Sequence, residues 1–135
     1  MIISSSDNER IVDIGSSDIW ISLCSTVFVR LDKNIKKYPL AVEFLRIGTY
    51  EGKNAYEVAR QINLIRDDLS QIPPDKAVYD MSNLKAEAPW KNNLSPVITS
   101  CANYFTTADG KDLLFELVSI LCYAAVKDVS VSVND

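Results

Sequence analysis

Residues 54–72 constrain the fold most, because their apolar side chains recur at the spacing of one helical face. Alternating steps of four and three residues, typical of an amphipathic α-helix, separate Val58, Ile62, Ile65, Leu69 and Ile72. Asn54 stands at the expected N-cap, with Glu57 three residues later as in a capping box. Pro73 and Pro74 end the pattern, since proline lacks a backbone donor and disfavours helical geometry in the residue before it. The sequence therefore predicts a helix over 54–72 that packs one face against a core.

Two further segments predict helices. In "YPLAVEFLRIG", Pro39 stands where a first helical turn tolerates proline, and Gly48 lies just past the last apolar residue. A second helix is predicted from Gly110 or Lys111 to about Lys127. It is apolar nearly all round, which indicates burial on several sides.

Residues 17–31 fit two structures. Ser17 followed by Asp18 is typical of a helix N-terminus. The β-branched content instead fits a strand, as does the alternation of Ile21, Leu23, Val27, Val29 and Leu31. The periodicity leaves both structures open.

The remaining regular segments are short and favour strands. "MII" and "IVDI" (11–14) flank a polar turn, which predicts a hairpin or a strand followed by a loop. "KAVYDM" (76–81) is consistent with a buried strand, and the valines of 129–133 alternate with serine as in a half-exposed strand. Helices between strands predict an α+β fold, with a small sheet and three to four packed helices. At 135 residues and 47% hydrophobic composition, the chain is expected to form one domain over 1–135.

The chain contains no histidine and has a small negative surplus: 18 acidic and 14 basic side chains give a formal net charge of −4. Without histidine, Ser-His-Asp and Cys-His catalytic arrangements are impossible, and the commonest metal ligand is missing. We therefore expect no metal and no cofactor. An acidic balance disfavours charge-driven binding to a nucleic acid backbone, and it suits either solubility alone or attraction to a basic protein.

The most apolar segment, 113–126, is interrupted by Glu116 and too short to cross a bilayer.

Three cysteines, Cys24, Cys101 and Cys122, have long unequal spacings and no CxxC motif. This pattern predicts buried free thiols rather than disulfides or a zinc site. Cys101 lacks a histidine that would activate it as a nucleophile, so a buried structural thiol is favoured there too. The N-terminus "MIISSSDNER" lacks the basic and apolar regions of a secretory signal, and a cytoplasmic location is expected.

Residues 82–108 have no helical or strand period but are rich in proline, asparagine and aromatic residues. Trp90, between Pro89 and "KNN", is interpreted either as an anchor that fixes this segment to the domain or as a contact for a partner. The anchor is favoured. Asp80, Asn93, Asn103 and Asp109 are predicted to bond nearby backbone and to cap the helix that follows.

The acidic residues of the predicted helix 54–72 permit two interpretations. Asp67, Asp68 and Glu57 are a possible catalytic carboxylate group or a solvated helix face, and the solvated face is favoured. The four glycines form neither a dinucleotide-binding motif nor a P-loop.

An ordered set of residues between 64 and 118 carries a family resemblance. The set comprises Pro73-Pro74-Asp75-Lys76, Tyr79-Asp80, Pro89-Trp90, Asn93, Ser95-Pro96, Asn103-Tyr104-Phe105, Thr107 and Asp109-Gly110. It resembles the bacterial polymorphic-toxin immunity proteins known as immunity protein 70. Lys91 departs from the pattern, in which glycine is usual after the tryptophan. The resemblance favours a helix over 17–31.

Membership implies a cytoplasmic antidote of the contact-dependent growth inhibition type, which binds without catalysis. Its partner would be the C-terminal domain of a cognate toxin from a neighbouring cell, basic, often a nuclease, and bound one-to-one. A structural role is expected for Pro73, Pro74, Asp80, Trp90, Asn93, Pro96, Asn103, Tyr104, Asp109 and Gly110. The toxin-binding candidates are Glu51, Asp67, Asp68, Glu87 and Trp90.

The hypothesis that follows is occlusion, in which acidic and aromatic groups cover a basic substrate cleft on the toxin. An intracellular protein-binding adaptor or regulatory module unrelated to toxins fits the composition equally well. A small enzyme that uses carboxylates alone is a third possibility, and it would need acids clustered in a deep pocket.

Overall fold

The computed structural model describes residues 1–51 and 53–135 in full, and Gly52 only through its place in a short 3-10 helix. The strands are β1 (Ile2–Ser5), β2 (Ile11–Asp13), β3 (Thr49–Tyr50) and β4 (Val131–Asn134). The α-helices are α1 (Ser17–Arg30), α2 (Pro39–Ile47), α3 (Ala55–Leu69) and α4 (Leu113–Lys127). Short 3-10 helices span Asp32–Lys37, Gly52–Asn54 and Pro74–Lys76. The predicted α+β fold with a small sheet is confirmed.

The four strands form one antiparallel sheet in the order β2-β1-β4-β3. β1 and β2 make an N-terminal hairpin, one of the two structures that the sequence left open, and its turn contains Asn8 in a left-handed conformation (φ 61°). β4 is the predicted C-terminal strand and lies between β1 and β3, with Ile3 opposite Val133. The first and last strands of the chain are therefore neighbours in the sheet.

Residues 17–30 are helical, as the family resemblance favoured. The helix is capped by Ser16 rather than by Ser17, since the Ser16 hydroxyl accepts a hydrogen bond from Asp18 N at 3.2 Å. The strand-like alternation is misleading because α1 is buried on more than one side. Its buried residues include polar ones, namely Ser22, Ser25 and Thr26.

Helices α2 and α3 agree with the sequence patterns in their positions but not in every cap. Gly48 follows α2 in a left-handed conformation (φ 84°) that favours glycine, as expected. α3 ends at Leu69, short of the predicted residue 72. The predicted capping box is wrong: Asn54 makes no side-chain cap, and Glu57 accepts hydrogen bonds from Arg60 and Gln61 instead.

Helix α4 begins at Leu113, slightly later than predicted, because Asp112 is its N-cap and accepts a hydrogen bond from Phe115 N. α4 packs against α3, and together they provide much of the core. Trp20 is buried as expected and packs edge-on against Phe44, with ring centroids 6.2 Å apart. Among the described residues, no helix has the length and apolar character needed to cross a membrane.

All three cysteines are free thiols, but they are not equally buried. Cys24 and Cys101 lie in the interior, whereas Cys122 is only half-buried, which corrects the expectation for that residue. Burial raises the pKa of Cys24 to about 12 and that of Cys101 to about 11.

The predicted strand "KAVYDM" is wrong. Residues 77–112, all described and here called the aperiodic segment, contain no helix or strand, although Thr106 and Asp112 form an isolated bridge. Val78 is buried as a strand residue would be, but its backbone bonds to side chains of α1. Val78 N–H donates to the Thr26 hydroxyl at 2.9 Å, and its carbonyl accepts from the Ser22 hydroxyl at 2.7 Å.

Candidate functional site

The polar face of α1 fixes the beginning of the aperiodic segment. Besides the bonds of Ser22 and Thr26 to Val78, the Ser25 hydroxyl accepts from Met81 N at 3.0 Å. At the end of α1, Arg30 Nε donates to Lys76 O at 2.7 Å. Near its start, Tyr79 donates its hydroxyl hydrogen to the Asp18 carboxylate at 2.9 Å, and this hydrogen bond raises the pKa of Tyr79. Side chains of a helix thus make the hydrogen bonds that a neighbouring strand would otherwise make to this backbone.

Trp90 is held by two other aromatic residues of the segment. Its indole N–H donates to the Tyr104 hydroxyl at 2.7 Å, and its ring packs edge-on against Tyr79, with centroids 5.6 Å apart. Tyr104 packs in turn against the buried ring of Phe105, with centroids 4.9 Å apart. Burial raises the pKa of Tyr104. These contacts support the interpretation of Trp90 as an anchor and leave its ring half-exposed.

The turn residues of the proposed structural motif bond mostly within their own turns. The Asn103 carboxamide accepts from the backbone N–H groups of Thr99 and Ser100 and donates to Val97 O. The Asp80 carboxylate accepts from the backbone and hydroxyl of Ser82, which lowers the pKa of Asp80. The N-cap of α4 is Asp112, so the prediction that Asp80, Asn93, Asn103 or Asp109 caps the following helix is wrong.

Four more residues of the motif also do not cap the following helix. Asp109 accepts from the Thr107 hydroxyl, and this bond lowers the pKa of Asp109. Gly110 adopts a left-handed conformation (φ 82°). The Pro73 carbonyl accepts a hydrogen bond from the Cys101 thiol at 3.4 Å. Pro74 begins a 3-10 helix.

A cleft of about 700 Å³ lies beside Trp90. Its lining includes several residues of the family-like set, namely Trp90, Asn93, Ser95, Asn103, Tyr104, Phe105 and Gly110. The neighbouring side chain of Val97 is 73% exposed. A cleft with this mixed apolar and amide lining is shaped by the aperiodic segment rather than by the sheet.

Two of the four acidic candidates are neutralised by nearby lysines. Asp68 forms a salt bridge with Lys37 at 3.0 Å and accepts a hydrogen bond from Tyr38. Burial, with the nearby Asp68 carboxylate, raises the pKa of Tyr38. Glu87 forms a salt bridge with Lys91, four residues later in the chain, at 2.7 Å. Neither carboxylate presents an uncompensated charge.

Glu51 has a different environment, because it shares a cleft with two further carboxylates. This cleft, of about 640 Å³ and here called the acidic cleft, is lined by Glu43 and Ile47 of α2, Thr49, Tyr50 and Glu51, Lys53 and Asn54, and Asp128 after α4. Among the described residues, none of its four charged side chains forms a salt bridge. Three carboxylates therefore face one ammonium group.

Sequence reasoning missed Glu43 and Asp128. Glu43 lies on the exposed face of a helix that was predicted from its proline start and glycine end and not from its charged residues. Asp128 has a left-handed conformation (φ 55°) at the end of α4, 77 positions along the chain from Glu51. No local pattern joins residues so far apart.

No single cleft contains the five toxin-binding candidates. Glu51 lies in the acidic cleft, Trp90 in the cleft of the aperiodic segment, and Glu87 in a third cleft that also contains Tyr104. Asp67 is exposed on α3. No group of three or more His, Cys, Asp or Glu side chains is placed to hold a metal ion within the described part of the chain.

Comparisons with known proteins give one result. A family model described as immunity protein 70 matches residues 6–133 of this chain. No curated protein and no solved structure matches it.

Proposed function

Because the chain belongs to the immunity protein 70 family, we propose that it protects the cell by binding the C-terminal domain of a cognate toxin and covering its active site or substrate cleft. An immunity protein acts against a toxin, and the family match over residues 6–133 is the observation that carries the proposal. We place the encounter in the cytoplasm, with a one-to-one complex, no catalysis by the immunity protein and no cofactor. The toxin is proposed to be a nuclease delivered by contact between cells.

Charge supports occlusion of a nuclease. A nuclease binds a polyanion, so its substrate cleft is expected to be basic. The immunity protein has a net charge of −4, and complementary charge speeds the encounter of two proteins. Glu51 and Asp67 are the stronger candidates for toxin contact, because neither forms a salt bridge among the described residues. Asp68 and Glu87 are proposed to contribute less, since a lysine already neutralises each.

Trp90 and the other motif residues have a different proposed role. The bond to Tyr104 and the packing on Tyr79 fix the loop before any partner arrives. A loop that is already ordered loses less conformational entropy on binding. Trp90 is therefore proposed chiefly as an anchor, whose half-exposed side chain remains available to the toxin.

Co-expression with a candidate cognate toxin domain tests the function. We expect cells to survive with both proteins, to die with the toxin alone, and to yield a one-to-one complex on purification. Purified immunity protein should abolish nuclease activity at equimolar ratio. Survival without a complex would contradict direct binding, and a complex that still degrades nucleic acid would contradict occlusion.

The salt dependence of the binding rates tests the electrostatic contribution to toxin binding separately from the other contacts. Association should slow markedly between low and physiological ionic strength, while dissociation changes little, because screening acts mainly on the approach of exposed charges. Stopped-flow or surface-binding kinetics give both rates. An association rate indifferent to salt would remove steering from the proposal.

A further inference from the structure

The two edges of the sheet differ in how they are covered. The aperiodic segment bonds to the end of β2, where Ala108 N–H donates to Asp13 O at 2.9 Å. β3 forms the other edge of the sheet. Among the described residues, no backbone hydrogen bond covers the outer side of Thr49 or Tyr50. The chain therefore bonds part of the β2 edge, whereas the β3 edge is open.

The register shows which groups of β3 point outward. Thr49 is opposite Ser132, and Val133 N–H donates to Gly48 O at 2.7 Å. In an antiparallel ladder this makes Thr49–Ser132 a non-hydrogen-bonded pair, so the N–H and C=O of Thr49 point away from β4. The same alternation turns the backbone groups of Tyr50 toward β4. An arriving strand can thus exchange two hydrogen bonds with Thr49.

Thr49 and Tyr50 are part of the lining of the acidic cleft, and the other lining residues favour one kind of occupant. Three carboxylates and one ammonium line it, and none forms a salt bridge among the described residues. Ile47, also in the lining, is 60% exposed and offers apolar contact. A second copy of the chain would bring the same surplus of acids to the edge, and like charges oppose such pairing. A segment carrying lysine or arginine complements the cleft.

We propose that β3 is the docking edge for the toxin: an extended basic segment of the toxin adds beside Thr49, with its cations facing Glu43, Glu51 and Asp128. Main-chain hydrogen bonds at a sheet edge provide affinity, and the side chains on either side provide specificity. The brevity of β3 limits promiscuous strand pairing. This inference rests on the proposed toxin-binding function and names the surface that performs it.

Amide hydrogen exchange, followed by NMR in the free protein and in the complex with the purified toxin domain, tests strand addition. The Thr49 amide should exchange rapidly in the free protein and slow by about tenfold or more in the complex. The Tyr50 amide is the internal control, because it faces β4 and should be protected in both states.

Charge variants test the chemistry of the occupant. Replacing both glutamates of the cleft, Glu43→Gln with Glu51→Gln, should lower the association rate roughly tenfold at low salt. The matched control, Glu9→Gln with Asp32→Asn, removes two exposed carboxylates outside the cleft and should change the rate by less than about twofold.

The outcomes of these experiments distinguish the docking edge from the proposed function and from self-association. A complex in which Thr49 still exchanges at the free rate would overturn the docking edge and leave the proposed function standing. Absence of any complex would overturn both. Slowed exchange at Thr49 in concentrated immunity protein without toxin would identify a second copy as the occupant and contradict the proposal. Equal loss of association rate in the two double variants would show that the acidic cleft is not the contact.

Discussion

The helix pair α3–α4 and the aperiodic segment are both ordered, but different interactions order them. α3 buries seven of its 15 residues, and all but Gln61 are apolar. The aperiodic segment is more than twice as long, yet its buried residues are only Val78, Ser100, Cys101, Phe105 and Thr107. Its backbone is held by hydroxyl, carboxamide and carboxylate groups instead.

The free energies of apolar burial and of hydrogen bonding show what this difference means for stability. Full burial of a large apolar side chain contributes about 1.5–3 kcal/mol, whereas a satisfied hydrogen bond contributes about 1 kcal/mol net. A buried backbone group left without its partner costs about 1–3 kcal/mol. The helix pair is therefore expected to provide most of the stability. The polar contacts mainly decide which shape the aperiodic segment takes, so its surface can change without loss of the core.

Thr26→Val should produce the largest effect in the aperiodic segment. The substitution keeps the shape of the side chain but removes the acceptor of the buried Val78 N–H. We expect the free energy of unfolding to fall by about 1–3 kcal/mol, the cost of an unsatisfied buried donor. Urea denaturation measures this loss, and amide exchange at Val78 should accelerate in the same variant.

Thr26→Ser is the matched control, because it keeps the hydroxyl and loses one methyl group. It should cost about 0.8 kcal/mol and leave the Val78 amide protected. Equal exchange at Val78 in the two variants would show that apolar packing, and not the hydroxyl, holds the segment. The distinction drawn between the two regions would then be wrong.

Sequence patterns predicted the helix pair because its order arises from local apolar residues, which form one face in α3 and lie nearly all round in α4. They failed at "KAVYDM", since Val78 has the burial of a strand residue while its hydrogen bonds reach α1, 52 and 56 positions away in the chain. They failed again at Asn54, where Glu57 bonds to Arg60 and Gln61 in preference to the capping box. In both cases a tertiary or competing side-chain contact replaced the local one.

The surfaces were less predictable than the helices. Glu51 was recognised as a candidate from the resemblance, but its companions Glu43 and Asp128 come from α2 and from the residue after α4. The order β2-β1-β4-β3, which leaves β3 at an edge, depends on pairing between the two ends of the chain. Charge clusters and sheet edges of this kind arise from topology, which one sequence without pairing information does not determine.

Trp90→Phe should have a smaller effect than Thr26→Val. It keeps an aromatic ring against Tyr79 and removes the N–H that donates to Tyr104. We expect a loss of about 1 kcal/mol in the free energy of unfolding. Tyr104→Phe removes the same hydrogen bond from the other side, so the double variant should cost little more than either single one.

Full additivity of the two substitutions would show that the indole–phenol bond does not fix the loop. Toxin affinity should also be measured for Trp90→Phe. A large loss of affinity without loss of stability would identify Trp90 as a contact residue and not chiefly an anchor.

The smallest effect concerns the thiols and needs no substitution. Cys24 belongs to α1 and Cys101 to the aperiodic segment, and burial raises the pKa of both, to about 12 and about 11. At pH 8 both should react with iodoacetamide much more slowly than the half-buried Cys122, because the thiolate is the reactive form and the reagent must also reach it. Intact mass and peptide mapping over time give the three rates.

The ratio of the Cys101 and Cys24 rates compares the local opening of the two regions directly. A Cys101 rate close to that of Cys24 would mean that polar contacts order the aperiodic segment as well as apolar packing orders α1. A rate equal to that of Cys122 would mean that the segment opens readily.

The pKa shifts also predict that stability depends on pH. Thiols of the unfolded chain lose their protons above about pH 8.5, while the buried thiols retain theirs. The free energy of unfolding should accordingly fall as the pH rises from there towards 11–12, and Cys101→Ala should weaken that fall if the segment keeps its thiol buried.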